Sequence, residues 1–499
     1  SDSKSRTNYG RGHFSAVFDP TPKHTAGFDI EYTERSTHMP TLSRTTLGQT
    51  QSDSRYRQHM DGNTLTATAN YIWKIDTLGS QFKLIADYTR YTSDGDNSYH
   101  TTTCAPGTLR DSLYESATGS VYDILTADAG LTRKLPHGLT LRAGLRYTRN
   151  DMADKSRYAA QTQGTWLALP EYSYDQHYTE QIGAAYASLE YSAGRWELSA
   201  GLRGEYTSVA SQAFGRSYFG LFPNVSVSRA LNALRTWLLV AQWSRNIERP
   251  AFPALNPARI RISDYSWQSG NPSLRPTYIH RFSLTAVWKY RYTLTVGGNL
   301  HHDLIREIAH RDATAPDAVY IRPENHYTEN HWFVAASVPA KITRWWNLSV
   351  NAVGVMQRIR LNSTDSPATH YLMFADATCS FTLPAGFFAE AVYRAQSRLY
   401  SGNSEVGPRH TLSATVKKQL FGKRLTLFCT LSNITGCDWE FASLTDGMRR
   451  TIDTGQAWSG RLWKVGAAWN FRTGKKFRAR TVESAAETQR KRLVKSTEQ

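Results

Sequence analysis

Along most of this chain apolar and polar residues alternate. This is the period of a strand whose side chains point in turn to opposite faces of a sheet. In "RWELSAGLRGEY" (195–206), Trp196, Leu198, Ala200, Leu202 and Tyr206 share one face, while Arg195, Glu197, Ser199, Arg203 and Glu205 share the other. In "LTLRAGLRYT", Leu139, Leu141, Ala143, Leu145 and Tyr147 oppose Thr140, Arg142, Arg146 and Thr148. Near the end, Trp463, Val465, Ala467, Trp469 and Phe471 alternate with Lys464, Gly466, Ala468 and Asn470.

The alternation predicts strands near 12–19, 25–34, 62–75, 80–92, 116–132, 138–149, 178–192, 195–208, 218–231 and 236–247. It predicts more near 277–290, 292–304, 327–341, 345–359, 367–383, 386–399, 409–419, 423–434 and 459–472. Many run to roughly 10–17 residues, against the usual 5–6 of a globular strand. A tilted strand needs about 9–11 residues to cross a bilayer. One face carries rows of Arg and Glu, which a packed sandwich core does not hold, and aromatics gather at strand ends where membrane interfaces would lie.

Connections give a second signal. Tight turns such as "KLPHG", "AG", "NALR", "KY", "ITR", "PA" and "FGK" alternate with long segments at 35–61, 93–115, 150–177, 248–276, 305–326 and 435–458, all expected as loops. Short turns on one side and long loops on the other are the asymmetry of an outer-membrane barrel, periplasmic below and extracellular above. The expected fold class is therefore all-β, an antiparallel transmembrane β-barrel, with residues 1–472 as barrel and 473–499 as a basic periplasmic tail. Nineteen strands is an odd number. Lipid tolerates no open sheet edge, so part of the barrel is expected upstream of Ser1.

Composition sharpens this picture. Of 499 residues only 40% are hydrophobic, yet 12% are aromatic, with 27 Tyr and 14 Trp. The longest apolar runs, such as "WLLVA" at 237–241, fall far short of the roughly 18 residues of a membrane helix. The formal charge of +17 raises nucleic acid as a partner. The charge is scattered, however, apart from nine Lys/Arg after residue 471, and no nucleic-acid-binding motif accompanies it, so that class is set aside. Cys104, Cys379, Cys429 and Cys437 form no CxxC pair and no disulfide framework.

No catalytic motif is present, and neither cofactor nor metal is expected. Glu197 and Glu205 lie eight apart on a charged face and read as lining rather than an acid/base pair. His301, His302, His310, His326 and His331 cluster in sequence but lack ligand spacing, and read as solvated loop residues. Arg142, Arg146, Arg203 and Arg394 face the expected lumen with Glu197 and Glu205. They suit contacts with a filling domain better than contacts with a solute.

"SRNIERPAFPALNP" and "SGNPSLRPTYIHRFSL" (244–284) form the longest aromatic, Pro-rich connection. The pair resembles the loop signature of TonB-dependent outer-membrane receptors, especially the barrel family common in Bacteroidota. Its first element falls on Arg245, Arg249, Pro250, Asn256 and Pro257, and its second on Gly270, Asn271, Pro272, Leu274 and Pro276. Thr277 stands where the family usually has an acidic residue. "RLWKVGAAWNF" resembles the family's terminal strand, whose aromatic end is read during insertion, which singles out Trp463, Val465, Trp469 and Phe471. The resemblance implies a barrel of about 22 strands with a plugged lumen. This chain would then supply about nineteen of them, without the plug or the segment that couples to TonB. It also implies an importer in a Gram-negative outer membrane, with lipid, the TonB system and a surface lipoprotein as partners. Phe252, Tyr265 and Trp267 on the long loop are the expected cargo contacts. A passive porin-like channel and a non-transporting surface barrel are the competing readings.

Overall fold

The computed structural model describes residues 2–3, 5–47, 49–212, 214–257, 259–263, 266–312, 318–437, 439–445, 448–454, 460–471 and 482–493. Among them, nineteen long strands follow one another in a meander. They are β1 (Arg6–Thr21), β2 (His24–Leu47), β3 (Thr50–Lys74), β4 (Gln81–Ala105), β5 (Thr108–Leu135) and β6 (Leu139–Thr162). Next come β7 (Tyr174–Ala193), β8 (Trp196–Ser211), β9 (Gly215–Ala230), β10 (Trp237–Glu248), β11 (Thr277–Trp288), β12 (Tyr292–Arg311) and β13 (Val319–Lys341). β14 (Trp346–Arg360), β15 (Ala368–Leu383), β16 (Phe387–Gln396), β17 (Arg409–Leu420), β18 (Leu425–Ser432) and β19 (Leu462–Trp469) complete the series. Each coincides with a strand expected from the alternation. Every consecutive pair is antiparallel. Among the described residues no ladder joins β1 to β19, so the sheet is not closed.

The apolar face is the exposed one. Leu145 is 65% and Tyr206 55% exposed, and Leu141, Leu198 and Leu202 project from the same face. The buried face is polar, holding Asp87, Asn150, Glu180, Glu205 and Glu329. A contiguous apolar exterior around a polar interior inverts the soluble pattern, and it is stable only where the exterior meets lipid. The tight turns are built to match. Gly138 takes φ +75°, and a Cβ there would lie 2.3 Å from the Ser192 carbonyl oxygen.

Four of the expected long loops are corrected. Residues 35–61, 93–115, 150–177 and 305–326 are mostly outward continuations of the hairpins, as the pairs His38↔His59, Asp96↔Ala117, Asp154↔Gln176 and Leu304↔His326 show. On the buried face of these stretches polar and apolar residues mix, as Ser52, Ser54 and Tyr56 or Asn150, Met152, Asp154, Ser156 and Tyr158 show, so no apolar stripe marks them. The antiparallel ladder still pairs their N–H and C=O groups. The outer segments at Leu399–Ser401, Ser404–Val406, Trp439–Thr445 and Met448–Thr454 form a separate four-stranded sheet. It is tied down where the Asn403 amide donates to the Ala309 carbonyl at 2.7 Å. Cys104, Cys379 and Cys429 are free thiols.

Candidate functional site

The connection between β10 and β11 turns inward. Phe252–Leu255 forms a single helical turn, α1, and Phe252, Leu255 and Leu274 pack with Tyr122, Ile124, Met152, Tyr178 and Val209 in one buried cluster. The signature residues make this docking. Asn271 donates its backbone N–H to Ala254 O at 2.7 Å and its side-chain amide to Pro323 O at 3.0 Å, and it accepts from Ser273 N. At Gly270 a Cβ would sit 2.1 Å from Asn256 O, so only hydrogen fits. Leu274 is fully buried, and its carbonyl accepts from Arg216 at 2.5 Å. Pro250 and Pro276 are buried, while Asn256, Pro257 and Pro272 are half-buried around α1.

Arg249 is the electrostatic centre. Its guanidinium donates to Glu205 at 2.6 Å and Thr207 at 3.0 Å, and approaches Glu180 to 3.8 Å. Arg203 also pairs with Glu205. Glu180, only 2% exposed, accepts from Asn150 at 2.9 Å and from Arg492 at 2.5 Å. Burial works against the Glu180 carboxylate, and Arg492 and Arg249 supply the countercharge. Nearby, among the described residues, no cation pairs with Asp154, and burial pushes its carboxyl up despite hydrogen bonds from Ser120 and Tyr122. Arg245, the other signature arginine, donates to Leu221 O at 2.8 Å and lies over the Phe222 and Tyr278 rings.

The remaining expected residues scatter. Phe252 is 1% exposed, so solvent does not reach it. Trp267 stacks on Tyr172 at 6.1 Å, with Arg259 over the Tyr172 ring. Tyr265 lies outside the described residues. Arg142 pairs with Glu190 and Arg146 with Asp128 at 2.7 Å. Glu197 is exposed, and Arg394 sits opposite Asp376 in register. Trp463, Val465, Trp469 and Phe471 are exposed, Phe471 at 84%.

His301, His326 and His331 correct the solvated reading, while His302 stays exposed. Glu329, completely buried, accepts from Arg306 at 2.7 Å and from Gln357 at 2.8 Å, and lies 2.8 Å from His331 and 3.5 Å from His326. Its backbone carbonyl meets His301 at 2.7 Å. Sequence spacing missed this cluster because it is assembled across three strands. Asn150 and Asp154 were missed because they fall in a stretch expected to be loop.

An outer-membrane protein beta-barrel family model matches residues 73–466. The chain belongs to that family. This outer-membrane barrel also shares its fold with solved receptors. The ferric-catecholate import receptor Fiu from K12 E. coli aligns at TM-score 0.58 and 9% identity, covering 94% of this chain and 81% of that one. The ferric yersiniabactin uptake receptor FyuA from Yersinia pestis aligns at TM-score 0.50 and 10% identity, covering 94% and 80%. No curated protein sequence matches the chain. The family and the lipid-compatible exterior place the barrel in a Gram-negative outer membrane.

Proposed function

We propose that this barrel is the membrane-spanning part of an energised nutrient importer of the TonB-dependent type. Its extended outer hairpins receive cargo, and its polar face governs passage. The observation that carries the reading is the folded-in 249–276 connection, whose Phe252, Leu255 and Leu274 pack on the buried face of the sheet. An apolar cluster packed on the polar face narrows the passage that a closed barrel would enclose, which favours gated import over free diffusion. Structures of like fold include receptors for ferric chelate import, which fits an import role without naming this chain's cargo. Family and fold resemble transport receptors rather than enzymes. We assign the first cargo contacts to the outer aromatic set of Tyr172 and Trp267 with Arg259, and to Tyr265. A surface lipoprotein seated on the outer four-stranded sheet is the partner this reading accommodates.

The test is made on the native protein from isolated outer membranes. Its intact mass and N-terminal sequence are measured, and growth on candidate nutrients is compared with and without TonB. A product extending some hundreds of residues upstream, with TonB-dependent growth, supports the importer. A folded product beginning near Ser1 that conducts ions steadily in planar bilayers would favour the passive channel.

A further inference from the structure

The polar face has a second occupant. Residues 482–493 cross it from β2 and β4 to the foot of the 249–276 connection, carrying a one-turn helix, α2 (Glu487–Arg490). A basic, polar segment would adhere loosely to any acidic wall. Here each contact is matched by type. Glu483 pairs with Lys83 at 2.7 Å, and the Ala485 N–H donates to Asp87 at 2.7 Å. Ala486 is completely buried. The Gln489 side chain accepts from Asn150 at 3.4 Å and from Arg492 at 2.9 Å. The Arg492 guanidinium donates to Glu180 at 2.5 Å and to Pro250 O at 3.0 Å, and lies 4.3 Å from the centre of the Phe252 ring.

Acidic meets basic in both senses along the segment, so net positive charge does not explain the seating. In the run Arg490-Lys491-Arg492, only Arg492 is read by the wall. Lys491 is exposed and pairs with Glu487 of its own segment, and Arg490 bonds to Ser484. The receiving pocket is the one the loop signature builds: Pro250 supplies an acceptor and Phe252 a ring face, while Arg249 sets the charge of Glu180. An arginine suits such a site better than a lysine, because its flat guanidinium stacks on the ring while donating in its own plane.

We propose that residues 482–493 are an internal ligand of the barrel, anchored by Arg492 in a guanidinium pocket of Glu180, Pro250 and Phe252. Cargo, or any other chain segment that fills the passage, takes this wall only when the segment leaves. The segment is thus a stopper held by a small number of specific contacts.

The test uses the native outer-membrane protein in detergent micelles, with its cysteines replaced by serine. Asn150→Cys with Gln489→Cys should form an intramolecular disulfide on mild oxidation, read by mass spectrometry of linked peptides. Asn150→Cys with Lys491→Cys should not. In the cysteine-free parent, trypsin should cut after Arg490 and Lys491 slowly. Arg492→Ala should speed those cuts by about tenfold or more, since proteolysis follows the open population, while the barrel keeps its heat-resistant mobility. Arg492→Lys should protect only partly. Equal linking by both cysteine pairs, linking only between chains, or equal cleavage of parent and Arg492→Ala would overturn the proposal.

Discussion

Replacing Arg249 with Met keeps the bulk of the side chain and removes its charge. Arg249 is 9% exposed and lies between Glu205 at 2.6 Å and Glu180 at 3.8 Å, themselves 8% and 2% exposed. Deleting one partner of a buried ion pair costs about 3–5 kcal/mol, because the charge left behind has no water to turn to. Here Glu205 keeps Arg203 and Glu180 keeps Arg492, so neither carboxylate is orphaned and the lower end, about 3 kcal/mol, applies. The lipid-facing strands do not depend on this contact, so the loss should appear as local opening of the 249–276 connection rather than global unfolding. At 1.4 kcal/mol per decade, the opening equilibrium shifts roughly a hundredfold. Hydrogen exchange followed by mass spectrometry should show that acceleration at Asn271, whose N–H is held by Ala254 O, and at Ser269, held by Ile321 O. The hairpins of β14 to β17 should be unchanged. Adding Glu205→Gln should recover part of the loss, as expected for residues that share a network. Exchange in 249–276 within threefold of the parent would refute the view that this buried pair docks the loop.

Three further outcomes follow from the same packing. Gly270→Ala puts a methyl group 2.1 Å from Asn256 O, and overpacking of this kind costs about 1–3 kcal/mol; faster proteolytic nicking within 249–276 at unchanged barrel mobility is expected. Burial raises the Asp154 carboxyl above its ordinary value, so the fold favours the protonated form and that contribution fades as pH rises through the folded pKa. Asp154→Asn should therefore be at least as stable as the parent at pH 7 and should flatten the pH dependence of the urea midpoint. Leu145→Arg sets a charge on the lipid-facing side near mid-strand, where it should cost about 2–4 kcal/mol, read as a lower urea midpoint in lipid vesicles but little change in β-structure.

Every spanning strand was legible in the sequence, because lipid on one side and water on the other impose a period of two that no packing detail can hide. The outer hairpins were not. Between 35 and 61 or 150 and 177 the buried face mixes polar residues such as Ser52, Ser54, Asn150 and Asp154 with Tyr56, Met152 and Tyr158, so pairing leaves no clean hydrophobic alternation, and strand was read as loop. The signature arginines and prolines were legible as a motif. The direction in which they fold was not, because Arg249 finds Glu205 and Glu180 only once β7 and β8 stand side by side. The histidines illustrate the same limit. Their crowding in sequence was visible, but the carboxylate that gathers them, Glu329, is identified by register across β12, β13 and β14.

The sequence by itself determined the fold class, the strand order and which face meets lipid, since each depends on local alternation and turn chemistry. Only the tertiary structure decided that the longest Pro-rich connection folds inward, that Phe252 is buried rather than presented, and that Arg492 reaches Glu180 across 312 residues of chain. Burial of a charge is a property of the surroundings brought together by the sheet, and no residue's near neighbours in sequence specify it.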